Sequence, residues 1–225
     1  MLKHNLIQIA GIIDEAEAEM LLQCGVQYLG FPLRLPVHQE DLTEETASIL
    51  IRKLKPPRFG VLITYLDDAV EIATFCRTLG ARMVQLHGDV AVGEIKKLKE
   101  LDPELTVVKS LVIGLHTIGT LESLVVQMSA FVDGFITDTY DPISKASGGT
   151  GKMHDWSISQ RVVQLSSRPV ILAGGLTPDN VRKAILEVKP AGVDSHTGVE
   201  DASGRKRREK VEKFVAEANA GFQLL

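Results

Sequence analysis

Eight short runs of β-branched or apolar residues recur along this 225-residue chain, and each is followed by an amphipathic segment. The runs are Leu6–Ala10, Tyr28–Phe31, Phe59–Thr64, Met83–Leu86, Leu105–Leu111, Val132–Thr137, Val170–Ala173 and Gly192–Ser195. The segments after them place apolar residues at helical spacing, as Ala18, Leu21 and Leu22 do within 14–24. The other helices are expected over 42–54, 67–79, 92–101, 117–128, 157–165, 178–188 and 205–218. Thr177-Pro178-Asp179 reads as a helix start, a capping residue followed by proline at the first helical position. Parallel neighbours need crossover connections, so strict strand–helix alternation predicts a parallel sheet. Eight such units in this length predict closure into a single (β/α)8 barrel domain over 1–225, with an open doubly wound sheet as the alternative.

A barrel directs attention to the C-terminal ends of its strands, where the loops carry the chemistry. Those ends read Ala10-Gly11, Arg34, Asp67, His87-Gly88-Asp89, Ser110, Asp138, Gly174-Gly175 and His196-Thr197-Gly198. The most concentrated stretch is 132–156. There Asp138 is expected at a strand tip, a polar loop follows, and Gly148, Gly149, Thr150 and Gly151 precede a helix opened by Asp155 and Trp156. A carboxylate beside a glycine-rich loop suits acid–base work next to a bound anion. Glycine clusters also follow the seventh and eighth runs, where barrels commonly bind phosphate.

Composition narrows the partners. The net charge is −4, so no basic field draws nucleic acid, and Arg205 to Lys210 (RKRREK) reads as the exposed start of the C-terminal helix. Cys24 and Cys76 lack disulfide-framework or metal-ligand spacing, and a cytoplasmic setting is expected. No run reaches the ~20 apolar residues of a membrane span. Residues 5–13 read as a first buried strand, since Gln8 interrupts them and acidic residues follow. His87, His154 and His196 lie on separate elements without ligand spacing, so neither a metal nor a cofactor is expected.

Six segments in order resemble the phosphoribosylanthranilate isomerase family of tryptophan biosynthesis. They are Gly30-Phe31 followed by Arg34, VQLHGD at 84–89, DGFITDT at 133–139, GGTGKMHDW at 148–156, LAGGLTPDNV at 172–181 and GVDSHTGVE at 192–200. The resemblance implies an aldose–ketose isomerase, an intramolecular oxidoreductase. Its reaction is an Amadori rearrangement that turns an N-phosphoribosyl aryl amine into a 1-deoxyribulose phosphate. The partner is then a small phosphorylated substrate, and the protein a monomer or homodimer. Asp138 stands at the position of the general acid that protonates the ring oxygen. Gly174, Gly175, Thr197 and Gly198 match the phosphate loops. Arg34 matches an arginine that pairs with the substrate carboxylate, and a guanidinium can hold both of its oxygens. His87 is shared with the family and reads as a structural or pocket-lining group.

The departures fall at the base. The family's first strand usually ends Lys-Ile-Cys-Gly-Ile, and the cysteine takes the C2 proton. Here Gln8-Ile9-Ala10-Gly11-Ile12 stands in its place, and Ala10 cannot accept a proton. Loss of a positioned base costs about 10²–10⁴ in rate. Cys24, expected at the far end of the first helix, does not replace it. His196 and His154 replace the family's usual Ser and Phe, and His196 is the candidate substitute base because imidazole titrates near neutrality. LRLP around Arg34 replaces the usual Ser-Pro-Arg. Asp194 reads as a hydrogen-bonding group of the barrel floor or phosphate loop. The leading reading is an isomerase with a replaced base. The alternatives are a phosphosugar-binding barrel with changed chemistry, namely ring opening or N-glycosidic cleavage, or a non-catalytic regulatory homologue.

Overall fold

The computed structural model describes residues 2, 4–36, 40–147 without 142–145, and 153–225. Its strands are β1 (Leu6–Ala10), β2 (Tyr28–Pro32), β3 (Phe59–Thr64), β4 (Met83–Leu86), β5 (Thr106–Ile113), β6 (Gly134–Asp141), β7 (Ala146–Ser147), β8 (Val170–Leu172) and β9 (Gly192–Ser195). The helices are α1 (Glu15–Gln23), α2 (Glu44–Lys53), α3 (Ala69–Leu79), α4 (Val92–Leu101), α5 (Ile118–Met128), α6 (Trp156–Leu165), α7 (Val181–Val188) and α8 (Arg208–Phe222). All strands but β7 pair in parallel, in the order β5-β4-β3-β2-β1-β9-β8-β6, and β5 pairs with β6 to close the ring. The expected (β/α)8 barrel is what forms.

Alternation along each strand divides the core in two. Inward residues, among them Leu6, Ala10, Val61, Ile63, Val108, Ile136 and Ile171, fill the barrel. Outward residues such as Ile7, Ile9, Leu29, Leu62 and Leu172 pack beneath the helices. Both faces are therefore apolar, as a parallel sheet under helices requires. The exceptions stand out against that background: Gln8, Gln85 and Asp194 are buried polar groups, and they share the inward alternation of Leu6, Met83 and Gly192 on their own strands. Five of the helices begin on side-chain caps, while α4, α7 and α8 do not. Asp14, Thr43, Asp68, Thr117 and Asp155 each accept a backbone N–H from the first turn.

Three expectations are corrected. The α7 helix starts at Val181 rather than Pro178, because Thr177 to Asn180 first form a turn in which the Thr177 carbonyl accepts from the Asn180 and Val181 N–H groups. The β6 strand does not end at Thr137. Asp138 is still paired in register with Val112, and Tyr140 and Asp141 go on to pair antiparallel with Ser147 and Ala146. β5 and β6 therefore rise together as a lip at the barrel's C-terminal end. Finally, Lys206 is not part of an exposed helix start: α8 begins at Arg208, and the Lys206 side chain is 0% exposed. Among the described residues, no helix is long and apolar enough to cross a membrane.

Candidate active site

Asp138 faces inward on the β6 lip, and both of its oxygens are engaged. Oδ1 accepts from the Thr139 backbone N–H at 2.7 Å, and His87 Nε2 lies 3.1 Å from Oδ2. His87 is buried at the end of β4, and its Nδ1 is approached by Ser110 Oγ at 2.6 Å and Gln85 Nε2 at 3.1 Å. An amide nitrogen only donates, so Nδ1 is the acceptor and Nε2 carries the hydrogen given to Asp138. With both ring nitrogens committed to protein groups, His87 orients the Asp138 carboxylate and has no donor left for a ligand. Tyr65 tilts against the His87 ring, 5.4 Å between centroids. Burial first, and then the Asp138 charge, push its phenol up to about 12.

Ala10 ends β1 with its methyl inside the barrel, where a Cβ added to Gly30 on β2 would come within 3.0 Å of it. No thiol or other titratable atom occupies this point. The next residue, Gly11, lies under the imidazole of His196, and a Cβ there would fall 2.0 Å from Nε2. His196 thus packs against the residue that follows Ala10. Its Nε2 is 3.4 Å from Glu200 Oε1. Burial and the nearby Lys206 hold the imidazole below its ordinary range, against the pull of Glu200, Asp41 and Asp138. The lowered value favours the neutral imidazole. Lys206 donates to the same Glu200 oxygen at 2.6 Å and to the Gly11 carbonyl at 2.8 Å. One buried ammonium therefore ties the tip of β1 to the loop after β9.

The glycine loops come together as the sequence suggests. Gly174 and Gly175 follow β8 with φ of 95° and 64°, a backbone region that suits glycine. Gly198 lies in the short 3-10 turn Thr197–Val199, and a Cβ on it would fall 1.9 Å from the Leu176 carbonyl oxygen. Ser195 Oγ donates to that same oxygen at 2.9 Å. The loops after β8 and β9 therefore form one packed unit. The third glycine cluster, Gly148 to Gly151, lies outside the described residues.

His154 and Arg34 sit elsewhere. His154 spends both nitrogens on protein, with Nδ1 2.9 Å from Thr139 Oγ1 and Nε2 2.6 Å from Ser159 Oγ. Burial holds its imidazole below the ordinary value. It fastens the β6 lip to α6 and leaves no ring nitrogen for substrate. Arg34 points into the helical ring: its guanidinium pairs with Glu44 on α2 at 2.8 Å and Glu71 on α3 at 3.1 Å, and stacks 3.7 Å above the Phe75 ring. The structure does not bring it to Asp138 and His196.

Sequence reasoning missed Lys206, Glu200 and Gln85 as parts of this arrangement, and named Ser110 and Gln8 without their partners. Gln8 Nε2 donates to Gln85 Oε1 at 3.1 Å across the barrel. Its only sequence signal was a polar residue inside an apolar run. Lys206 was hidden in a run of cations, where nothing local separates the buried one from its solvated neighbours. Among the described residues, no cluster of His, Cys, Asp or Glu could hold a metal.

Known proteins resemble this chain over nearly its whole length. The family model for N-(5'-phosphoribosyl)anthranilate (PRA) isomerase matches residues 7–217. N-(5'-phosphoribosyl)anthranilate isomerase 2 of Methanosarcina mazei is 39% identical over 221 residues, 96% of this chain and 95% of the relative. The isomerase of Methanothrix thermoacetophila is 35% identical over 212 residues, 93% of this chain and 95% of its own. Among solved structures, phosphoribosyl anthranilate isomerase from Thermotoga maritima superposes with a TM-score of 0.81 at 26% identity, covering 96% of this chain and 99% of that one. An inward acid on the sixth barrel strand, paired glycine loops after the last two strands, and a match over nearly the whole chain lead to one conclusion: this chain belongs to the N-(5'-phosphoribosyl)anthranilate isomerase family.

Proposed function

We propose that the protein isomerises N-(5'-phosphoribosyl)anthranilate with Asp138 as general acid and His196 as general base. Asp138, once protonated, gives its proton to the ring oxygen, and the C1–O bond breaks to leave a Schiff base. His196 takes the proton from C2, and the electron pair moves into the C1–C2 bond and on to nitrogen. The resulting enolamine tautomerises to the 1-deoxyribulose phosphate, so no atom is gained or lost. Backbone N–H groups of 174–175 and 197–198 hold the phosphate. The observation that supports this reading most is the position of the His196 imidazole against Gly11, the residue after Ala10. It puts a titratable ring one residue along the chain from the point where the family's thiol acts.

One observation favours a second reading, a barrel that binds phosphorylated sugar without isomerising it: Ala10 itself offers no base. Steady-state conversion of phosphoribosylanthranilate separates the two. Wild-type turnover abolished by both Asp138→Ala and His196→Ala is the result expected of the isomerase. Activity found only after Ala10→Cys would mean that the pocket binds the substrate and the natural protein does not turn it over.

A further inference from the structure

A file of buried polar groups crosses the barrel beneath the site: Asp194 on β9, Gln8 on β1, Gln85 and His87 on or just past β4, and Asp138 on β6. Each link between Gln8 and Asp138 has a direction. Gln8 Nε2 donates to Gln85 Oε1, Gln85 Nε2 to His87 Nδ1, and His87 Nε2 to Asp138 Oδ2. Two oxygens at the start of the file are buried with no partner, Gln8 Oε1 and Asp194 Oδ1. They belong to side chains in register on neighbouring strands, and the Gln8 side chain is a hydrogen-bonding neighbour of the Asp194 carboxyl. Buried polar atoms are rarely left unpaired.

We infer that Asp194 holds a proton at pH 6 and donates it to Gln8 Oε1, so that one unidirectional file of hydrogen bonds runs through the barrel core to the Asp138 carboxyl. A single hydrogen then satisfies both orphaned oxygens. Asp194 is a positioning residue: it aligns two amides and fixes the His87 tautomer that addresses the acid. The charges around it agree. Burial first, and then the Asp138 charge, push the Asp194 carboxyl up to about 7, while Gln8 and Lys206 pull it down. The groups facing it are Asp138 from β6, Gln8 from β1 and Lys206 ahead of α8. In the family pattern a lysine stands at position 8, and a cation there would favour ionised Asp194. With Gln8 no cation reaches Asp194 from β1, and burial outweighs the pull of Lys206.

The consequence for Asp138 rests on its proposed role as the acid; the proton on Asp194 does not. The test is therefore thermal unfolding against pH, for wild type, Asp194→Asn and Gln8→Lys. A carboxyl raised from 3.8 to about 7 on folding contributes stability that is complete below about 4 and lost as pH rises through about 7. Wild type is expected to lose several degrees of Tm relative to Asp194→Asn between pH 5 and 8. Gln8→Lys is expected to remove most of that loss. Infrared spectra of wild type should show a protonated carboxyl band at pH 6 that Asp194→Asn lacks. Parallel Tm curves for wild type and Asp194→Asn, with no such band, would show Asp194 ionised and the file running the other way. If phosphoribosylanthranilate is turned over, the limb of kcat/KM near pH 7 should vanish in Asp194→Asn. If nothing is turned over, the Tm and infrared results still decide where the proton is.

Discussion

At the scale of single residues, the site depends on side chains whose alternatives are costly. Asp138→Asn keeps the shape and the His87 contact but cannot deliver a proton in the same way. A fall in turnover of about 10²–10⁴ with an unchanged Tm is expected, measured by steady-state kinetics and calorimetry. Lys206 is bonded to Glu200 and to the Gly11 carbonyl without contact with water. Lys206→Met strands the Glu200 carboxylate, and a loss of about 3–5 kcal/mol is expected from denaturant unfolding. Gly198→Ala forces a methyl against the Leu176 carbonyl, so the 197–199 turn must move. Weaker binding of inorganic phosphate by titration calorimetry is the expected result. Asp138 and the glycines were legible because their chemistry shows in the residue type and its place at a strand end. Lys206 and Gln85 were not, since their roles come from partners far away in the sequence.

At the scale of elements, the strands and helices follow local rules closely. Runs of β-branched residues became strands with ends that moved by a few residues, and five of the helices begin on polar caps. Thr43 Oγ1 accepts the Thr46 N–H at 3.2 Å at the head of α2. Thr43→Ala is expected to cost about 1 kcal/mol, read as a lower midpoint in urea with an unchanged slope. The larger difference concerns β6. Residues 138–141 read as loop because Asp138, Asp141 and the following Pro142 are poor strand formers, although Thr139 and Tyr140 favour strands. They remain extended because β5 continues beside them to Ile113 and supplies the ladder, with Val112 opposite Asp138. That added length lifts the acid onto the lip.

At the scale of the whole molecule, ring closure removes both sheet edges and makes the core nearly inaccessible to water. Charges inside it then register strongly with pH. Lys109 on β5 is buried, with its ammonium on the Leu86 and Ser110 carbonyls. Burial draws its pKa down to about 8, against the pull of Asp89. The folded value lies below the unfolded one, so stability is complete above about 10.5 and is lost as pH falls from there through about 8. Lys109→Met is expected to abolish that slope, worth roughly 3 kcal/mol by the size of the shift, in unfolding measured from pH 8 to 10.5.

The order of elements, the barrel and the strand carrying the acid were determined by the sequence alone, because they rest on periodicity and residue type along contiguous stretches. Ala10 at the end of the first strand was equally plain. Only the tertiary structure decided what stands around it: His196 over Gly11, Lys206 beneath both, Arg34 turned into the helices, and Gln8 and Gln85 joined across the core. These contacts link residues up to 195 positions apart, as Gly11 and Lys206 are. Their energies depend on burial, and burial is a property of the closed barrel that no local stretch of chain carries.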